Sequence, residues 1–199
     1  DKDFDFQKAY NPYDFSGLRA CEARVWSFFR TFDKSMDKYK KHIMGDASEE
    51  PMPLYIIPDR KVSLADVREG MRNHYEGTEL SMTNDPGAGV YKVPYRWRPM
   101  TFKSEGREYF NERAIATQQT GFVLIAQMRS WLPDAVGGIL WFGVDDANTA
   151  VLTPMYPSIT EIPECSRRGN GSMTEFSWTS AFWIHNWVAN MAYNRYEPM

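Results

Sequence analysis

Three apolar stretches rich in β-branched residues follow one another in the second half of the chain, and this pattern limits the possible folds most. The stretches span residues 114–128, 139–144 and 149–156. Gly137, Gly138 and the polar run 145–148 lie between them, as expected of turns. Short connections join antiparallel strands, whereas parallel strands need a crossover of about a dozen residues or more. The sequence therefore predicts a three-stranded antiparallel meander.

Helices are predicted before and after this meander. Apolar residues recur every three or four positions over residues 18–39, and residues 178–193 carry a broad apolar face. Between these segments, Ser63 and Asp66 form a capping-box pattern that starts a helix ending near Gly77. Helices combined with an antiparallel meander predict the α+β class, with the helices on one side of the sheet.

Two further segments connect these elements. Residues 54–57 are a short apolar strand candidate that stops at Pro58. Residues 78–106 carry several Pro and Gly residues and predict a long structured loop, a kind of segment that is often functional. We find no internal repeat and no domain boundary, so residues 1–199 are interpreted as a single domain or as part of one.

Composition narrows the function classes. Apolar residues make up 43% of the chain and aromatic residues 15%, which is ample for a packed core. The net charge of −3 gives no electrostatic reason to expect nucleic acid or an anionic membrane as a partner. No window approaches the roughly 18 uncharged apolar residues of a membrane span. We therefore predict neither a nucleic-acid partner nor a membrane partner.

The cysteines and histidines do not form a metal-site pattern. Cys21 and Cys165 are interpreted as buried inert thiols, although pairing with each other or with another part of a longer protein stays open. The three histidines lie far apart in sequence and lack the spacing of a zinc site. We predict no metal and no cofactor.

Several segments, in order along the chain, resemble the dipeptidases of peptidase family C69. They are residues 71–78 (MRNHYEGT), 94–99 (PYRWRP), 112–122 (ERAIATQQTGF), 126–134 (AQMRSWLPD), 140–146 (LWFGVDD), 180–183 (SAFW) and 187–190 (WVAN). Each is weak evidence alone, but their common order over most of the chain from about residue 62 onward indicates kinship. The resemblance implies an αββα sandwich, in which antiparallel sheets are flanked by helices.

The resemblance also implies a chemistry. Enzymes of this superfamily use the first residue of the mature chain as nucleophile, a cysteine in this family, and its own α-amine as the base. Asp1 is not such a nucleophile, and neither Cys21 nor Cys165 carries a free amine. We therefore expect the chain to be an internal-to-C-terminal portion of a cysteine-type dipeptidase that acts on short peptides and is inactive by itself.

Alternatives to this interpretation stay open. One is a non-catalytic binding or scaffold module with the same fold, and another is an amidase of the same superfamily for bile-salt or penicillin-type substrates. A missing half of the domain would leave an apolar face uncovered, so we expect self-association of this portion. The compartment is unknown; removal of a signal peptide to expose the cysteine would indicate a secreted or periplasmic protein.

Three residues are candidate site residues. The resemblance implies that Arg113 lies beside the nucleophile, where it would favour the thiolate and orient a substrate carboxylate. The alternative is a surface arginine paired with Glu112 or Glu108. Tyr75 and Glu76 are candidates for the substrate pocket, with Glu76 meeting the amino terminus of the peptide, and the alternative is a solvated helix end.

Other polar residues are given structural interpretations. Gln118, Gln119 and Gln127 are predicted to hydrogen-bond neighbouring strands rather than a ligand. The run 145–148 predicts a β-turn and not a calcium loop, because it lacks the EF-hand ligand spacing. Trp183 and Trp187, four residues apart, are predicted to lie in the core.

Overall fold

The N-terminal third of the chain is helical, as its apolar periodicity predicts. In the computed structural model, which describes Phe4 and residues 9–11, 13–98 and 100–198, the helices are α1 (Phe15–Gly17), α2 (Ala23–Phe32) and α3 (Lys40–Ile43). A π-helical segment (Leu18–Glu22) precedes α2, and a 3₁₀ segment (Lys34–Tyr39) precedes α3. The predicted helix over residues 18–39 is therefore interrupted at Asp33, whose extended backbone ends α2.

The later helices are α4 (Leu64–Met71), α5 (Asp134–Gly137) and α6 (Ala181–Asn194). The predicted capping box is present at α4, where the Ser63 side chain accepts from the backbone N–H of Asp66 and the Asp66 carboxylate accepts from the backbone N–H of Ser63. Gly70 lets α4 lie against α2, because a Cβ there would come within 2.8 Å of the Phe28 ring. These two helices form two of the walls of the cleft described below.

The strands form two small antiparallel sheets. One is a hairpin of β1 (Thr101–Ser104) and β2 (Arg107–Phe110), and the other contains β3 (Phe122–Met128), β4 (Gly138–Val144) and β5 (Thr153–Met155) in that order. Ile125 pairs with Trp141, and Phe142 pairs with Thr153. The predicted α+β class and the antiparallel meander are confirmed.

Several predicted boundaries are wrong. Residues 54–57 form no strand; Leu54 and Ile57 are largely exposed, and an apolar run without a partner strand cannot complete its backbone hydrogen bonds as a sheet. The strand predicted over residues 114–128 begins only at Phe122, and the one predicted over 149–156 shrinks to β5. The loop predicted over residues 78–106 includes β1, which was missed.

The buried core lies mainly around α2, and α6 contributes little to it. The main cluster contains nine buried residues: Ala23, Trp26, Met36, Tyr39, Ile43, Tyr75, Leu80, Met82 and Ala114. Along α6 only Ala189 and Tyr193 are buried, whereas Trp187 is 48% exposed. The prediction that Trp187 lies in the core is thus wrong; Trp183 is half-buried and donates its indole N–H to the carbonyl oxygen of Glu175.

None of the helices in the described part of the chain has the length and apolar character that a bilayer crossing requires. Both cysteines are free thiols, but they are half-buried and not buried as predicted. Gln127 accepts a hydrogen bond from the indole of Trp141 on the neighbouring strand, and Gln118 bonds both Tyr95 and Asn190. The contact of Gln127 agrees with the predicted bond to a neighbouring strand, whereas Gln118 lies before β3 and bonds a loop residue and a helix residue instead.

Candidate functional site

A tight turn after α4 organises the candidate site. The helix ends at Met71, earlier than the predicted stop at Gly77, and the chain then reverses over residues 73–78. Within this turn Tyr75 has φ 65° and Gly77 has φ 68°. The left-handed conformation is costly for a tyrosine, so surrounding contacts must hold it. We refer to residues 73–78 as the reversal turn.

Asn73 supplies these contacts. Its side-chain oxygen Oδ1 accepts hydrogen bonds from the backbone N–H of Tyr75 at 2.8 Å and from the hydroxyl of Ser27 at 2.6 Å. Its backbone carbonyl accepts from the N–H of Ala116 at 3.2 Å. One asparagine therefore ties the reversal turn both to α2 and to the segment that precedes β3.

Tyr75 lies in the core and not at the surface of a pocket. Its side chain is fully buried, and its hydroxyl donates to the backbone carbonyl oxygen of Arg113 at 2.9 Å. Burial raises the pKa of the phenol far above its usual value, because the phenolate would lose its hydration. This hydrogen bond thus joins Tyr75 and Arg113, two of the three predicted site residues, which lie 38 positions apart in sequence.

The guanidinium of Arg113 is exposed. Over the ranges that the structure describes, it forms no ion pair, and Glu112 pairs instead with Arg19. The surface pairing of Arg113 with Glu112 is therefore absent from this part of the chain. Arg113 remains a predicted catalytic residue, held through its backbone by Tyr75.

A polar cleft of about 390 Å³ lies between α2, α4 and the reversal turn. Its walls come from five segments of the chain and carry both signs of charge. The lining residues are Ser27, Arg30, Thr31, Lys34, Glu69, Arg72, Asn73, Glu76, Thr78 and Asn148. Glu76 was predicted as a substrate-binding residue, and the structure brings it into this cleft; Arg113 and Tyr75 are not among the lining residues.

The cations of the cleft differ in how firmly they are held. Arg30 donates through Nε to Asp37 at 2.6 Å, and this hydrogen bond lowers the pKa of the Asp37 carboxyl. Arg72 donates through Nε to the side-chain oxygen of Asn148 at 3.2 Å. Because this contact uses only Nε, the other guanidinium nitrogens of Arg72 can bind a ligand carboxylate.

Glu76 is oriented by its neighbour His74. Glu76 Oε2 accepts from the backbone N–H of His74 at 2.7 Å, and Oε1 lies 3.2 Å from His74 Nδ1. Partial burial of the carboxyl acts to raise its pKa, but the hydrogen bonds from the His74 side chain and backbone outweigh it and hold the pKa below its usual value. Glu76 therefore carries a negative charge at neutral pH.

His74 continues into a buried network that sequence spacing did not indicate. Its Nε2 lies 2.8 Å from the hydroxyl of Tyr193 on α6, and this hydroxyl lies 3.0 Å from Oδ2 of Asp146 after β4. His74 and Asp146 are 1% and 0% exposed. The only sequence signal was that all three residues lie in or near segments of the family resemblance, which carries no information on their contacts.

The turn after β4 is more deeply buried than a polar β-turn usually is. The backbone N–H groups of Thr149 and Ala150 bond the carbonyl of Asp146, in agreement with the predicted turn. Burial raises the pKa of Asp145 to about 6, and it also raises the pKa of Asp146, against which the hydrogen bond from Tyr193 acts. Burial thus opposes the ionisation of Asp145 and Asp146, whereas the hydrogen bonds to Glu76 favour the ionised form of its own carboxyl.

Comparisons with known proteins place the chain among the peptidases. The chain belongs to peptidase family C69, whose profile matches residues 1–199. It is 26% identical over 198 residues to a probable dipeptidase B from Lactococcus lactis subsp. lactis, covering 96% of this chain and 36% of that protein. It is 27% identical over 154 residues to a probable dipeptidase from Salmonella dublin, covering 77% of this chain and 30% of the relative.

A third relative is dipeptidase A from Lactobacillus helveticus, which is 21% identical over 176 residues; the match covers 87% of this chain and 31% of the relative. The chain thus spans about a third of the length of these curated relatives.

Proposed function

We propose that the full-length protein is a cysteine-type dipeptidase that hydrolyses short peptides without a cofactor. In this proposal the nucleophilic cysteine belongs to a part of the protein outside residues 1–199. The proposal depends above all on the match to family C69 along the whole chain, together with the dipeptidase names of its relatives. The polar cleft adds a surface suited to a small charged substrate.

The chemistry follows from a thiol nucleophile beside its own α-amine. The amine, whose ordinary pKa is about 7.7–8.0, takes the proton of the thiol. The thiolate attacks the peptide carbonyl carbon, the C–N bond breaks, and the leaving amine takes the proton. Water then hydrolyses the thioester and releases the acyl group as a carboxylic acid. Arg113 is proposed to stabilise the thiolate.

The mixed charge of the cleft fits an unblocked dipeptide. Such a peptide carries an ammonium group at one end and a carboxylate at the other. Glu76 presents a carboxylate held by two hydrogen bonds from His74, which suits the ammonium. Arg72 has nitrogens free for the carboxylate. We propose these two residues as binding groups for the two ends of the substrate.

The test is hydrolysis of unblocked dipeptides by the purified full-length protein. We expect turnover of unblocked peptides, weak turnover of N-acetylated ones, and complete inactivation by a thiol-alkylating reagent. Cys21→Ser and Cys165→Ser are matched controls that should stay active and alkylation-sensitive, and residues 1–199 expressed alone should be inactive. Loss of turnover in either serine variant with the fold intact would refute an external nucleophile.

A further inference from the structure

The hydrogen-bond contacts in the buried network behind Glu76 restrict the number of protons that this network can hold. It runs from Glu76 through His74 and Tyr193 to Asp146, with heavy-atom separations of 3.2, 2.8 and 3.0 Å. Each contact needs one hydrogen between the two atoms. An ionised carboxylate can only accept a hydrogen bond. If Glu76 and Asp146 are both ionised, His74 must therefore donate to Glu76 and Tyr193 must donate to Asp146.

Two arrangements satisfy all three contacts. In the first, His74 is an imidazolium that donates to Glu76 and Tyr193, while the Tyr193 hydroxyl donates to an ionised Asp146. In the second, Asp146 is protonated and donates to Tyr193, Tyr193 donates to Nε2 of a neutral His74, and Nδ1–H still donates to Glu76. A shift of two protons, one on each side of the Tyr193 oxygen, interconverts them, so the number of protons is the same.

A third position for the extra proton, on Glu76 itself, is disfavoured. The Glu76 side chain is 59% exposed, so water stabilises its charge. Its Oε2 already accepts the backbone N–H of His74. In the two favoured arrangements Glu76 is a carboxylate and His74 carries its proton on Nδ1.

We infer that His74, Tyr193 and Asp146 form a buried relay that holds one extra proton, counted relative to ionised Glu76 and Asp146 and a neutral His74. This relay fixes Glu76 as an oriented carboxylate in the cleft. His74 is a positioning residue in this scheme, since it acts on the substrate through Glu76. The effect on substrate binding rests on the proposed function, whereas the protonation of His74 does not.

Removal of the extra proton leaves one of the three contacts without a hydrogen. His74 and an ionised Asp146 would then compete for the single hydrogen of Tyr193. If His74 took it, Oδ2 of Asp146 would keep only the backbone N–H of Asn148 at 3.2 Å and would face the Tyr193 oxygen without a hydrogen between them. The three contacts together therefore favour the arrangements in which the relay keeps this proton. The other titratable or charged groups that face the relay are Glu76, Tyr95, Asp145, Tyr196 and, through Tyr196, Arg72.

Tyr193→Phe and Tyr196→Phe form a matched pair for the test. Both remove one hydroxyl from neighbouring, stacked rings, but only Tyr193 joins His74 to Asp146; the Tyr196 hydroxyl lies 3.4 Å from His74 Nδ1 at the side of the relay. The full-length protein labelled with ¹⁵N-histidine would be titrated by NMR, and His74→Gln would identify the His74 signals.

We expect Nδ1 of His74 to stay protonated from pH 5.5 to 8.5 in the wild type and in Tyr196→Phe. In Tyr193→Phe the ¹⁵N shift of Nε2 should change with pH over this range, because the ring has lost its bond to Tyr193 and with it the link to Asp146. Asp146→Asn is a second variant, which should change the pH dependence of the His74 signals relative to the wild type even if Tyr193→Phe does not fold. Identical titration of His74 in the wild type and both relay variants, or an unprotonated Nδ1 at neutral pH, would overturn the relay.

A kinetic measurement extends the test to the cleft. Above pH 7.5, Tyr193→Phe should raise the KM of an unblocked dipeptide by about tenfold, with little change in kcat. Without the Tyr193 hydroxyl, a neutral His74 can carry its proton on Nε2 and present the lone pair of Nδ1 to Glu76. A pH low enough to put a proton on Nδ1 of the variant should bring the KM values together. A pH-independent rise in KM would indicate a merely structural role, and a normal NMR result without any peptide turnover would refute the proposed function and leave the relay intact.

Discussion

The hydroxyl of Tyr75 donates a hydrogen bond to the backbone carbonyl oxygen of Arg113 at 2.9 Å, across 38 positions of sequence. The tyrosine is fully buried and has a left-handed backbone conformation, whereas the arginine side chain is exposed. The buried Tyr75 thus holds the backbone of the exposed Arg113. The reversal turn and the segment before β3 are therefore joined by two hydrogen bonds, since the Asn73 carbonyl also accepts from the N–H of Ala116.

Tyr75→Phe should destabilise the protein by about 1–2 kcal/mol. It removes the donor to the Arg113 carbonyl and leaves that oxygen without its partner, while the ring still fills the core. Urea unfolding followed by fluorescence measures the change. Tyr55→Phe, at a tyrosine that is 72% exposed, is the matched control and should change the free energy of unfolding by less than about 0.5 kcal/mol. Equal effects of the two substitutions would contradict the role assigned to the Tyr75 hydroxyl.

Arg113→Lys should lower kcat/KM of the full-length protein by about a hundredfold, if the guanidinium stabilises a reacting charge. Stability should hardly change, because the side chain is exposed and lacks an ion pair within the described ranges. The pH dependence of thiol alkylation provides a separate readout in Arg113→Gln: without the positive charge the pKa of the nucleophilic thiol should rise, whereas Arg113→Lys keeps a charge there. Arg107→Lys, at an exposed arginine of β2, serves as the control. Unchanged kcat/KM would remove Arg113 from the catalytic groups.

The contribution of Asp145 to the stability of the protein should fall as pH rises from about 4 to about 6. Burial raises its pKa from 3.8 to about 6 in the folded protein, so the folded state binds a proton that the unfolded state has released. The stabilisation is complete below the unfolded pKa and is lost as pH rises through the folded one, with a slope of up to about 1.4 kcal/mol per pH unit. Urea unfolding at several pH values measures this slope.

Asp145→Asn should flatten this slope, and it suits the site because asparagine tolerates the φ of 70° found there. Asp134→Asn, at an exposed carboxylate, should leave the slope unchanged. A slope of equal size in wild type and Asp145→Asn would show that another group carries the pH dependence.

Short sequence patterns predicted the elements that depend on contacts between residues close together in sequence. The capping box at Ser63 lies within four residues, and the meander follows from short turns between apolar runs. Residues 54–57 had the same apolar character but no partner strand, and strand formation depends on a partner that a single sequence does not reveal. The contact between His74 and Tyr193 spans 119 positions, so only the folded chain brings the relay together. Glu76 was predicted from its segment, whereas its orientation depends on this long-range contact.

Asn73→Ala should destabilise the protein by about 2 kcal/mol. Its side-chain oxygen accepts two hydrogen bonds, from Ser27 and from the backbone of Tyr75, and each contributes about 1 kcal/mol. The left-handed Tyr75 would also lose the contact that holds it, so the cost should exceed that of Ser27→Ala, which removes only the first bond.

Asn73→Asp keeps an acceptor oxygen and should recover most of the loss in stability. Because Asn73 lines the cleft beside Glu76, the added charge should also weaken binding of the peptide carboxylate and raise KM. Urea unfolding and peptide kinetics on the three variants separate these effects. If Asn73→Ala and Ser27→Ala were equally stable, the Asn73 contact to the Tyr75 backbone would contribute nothing, and the reversal turn would owe its conformation to the buried Tyr75 ring alone.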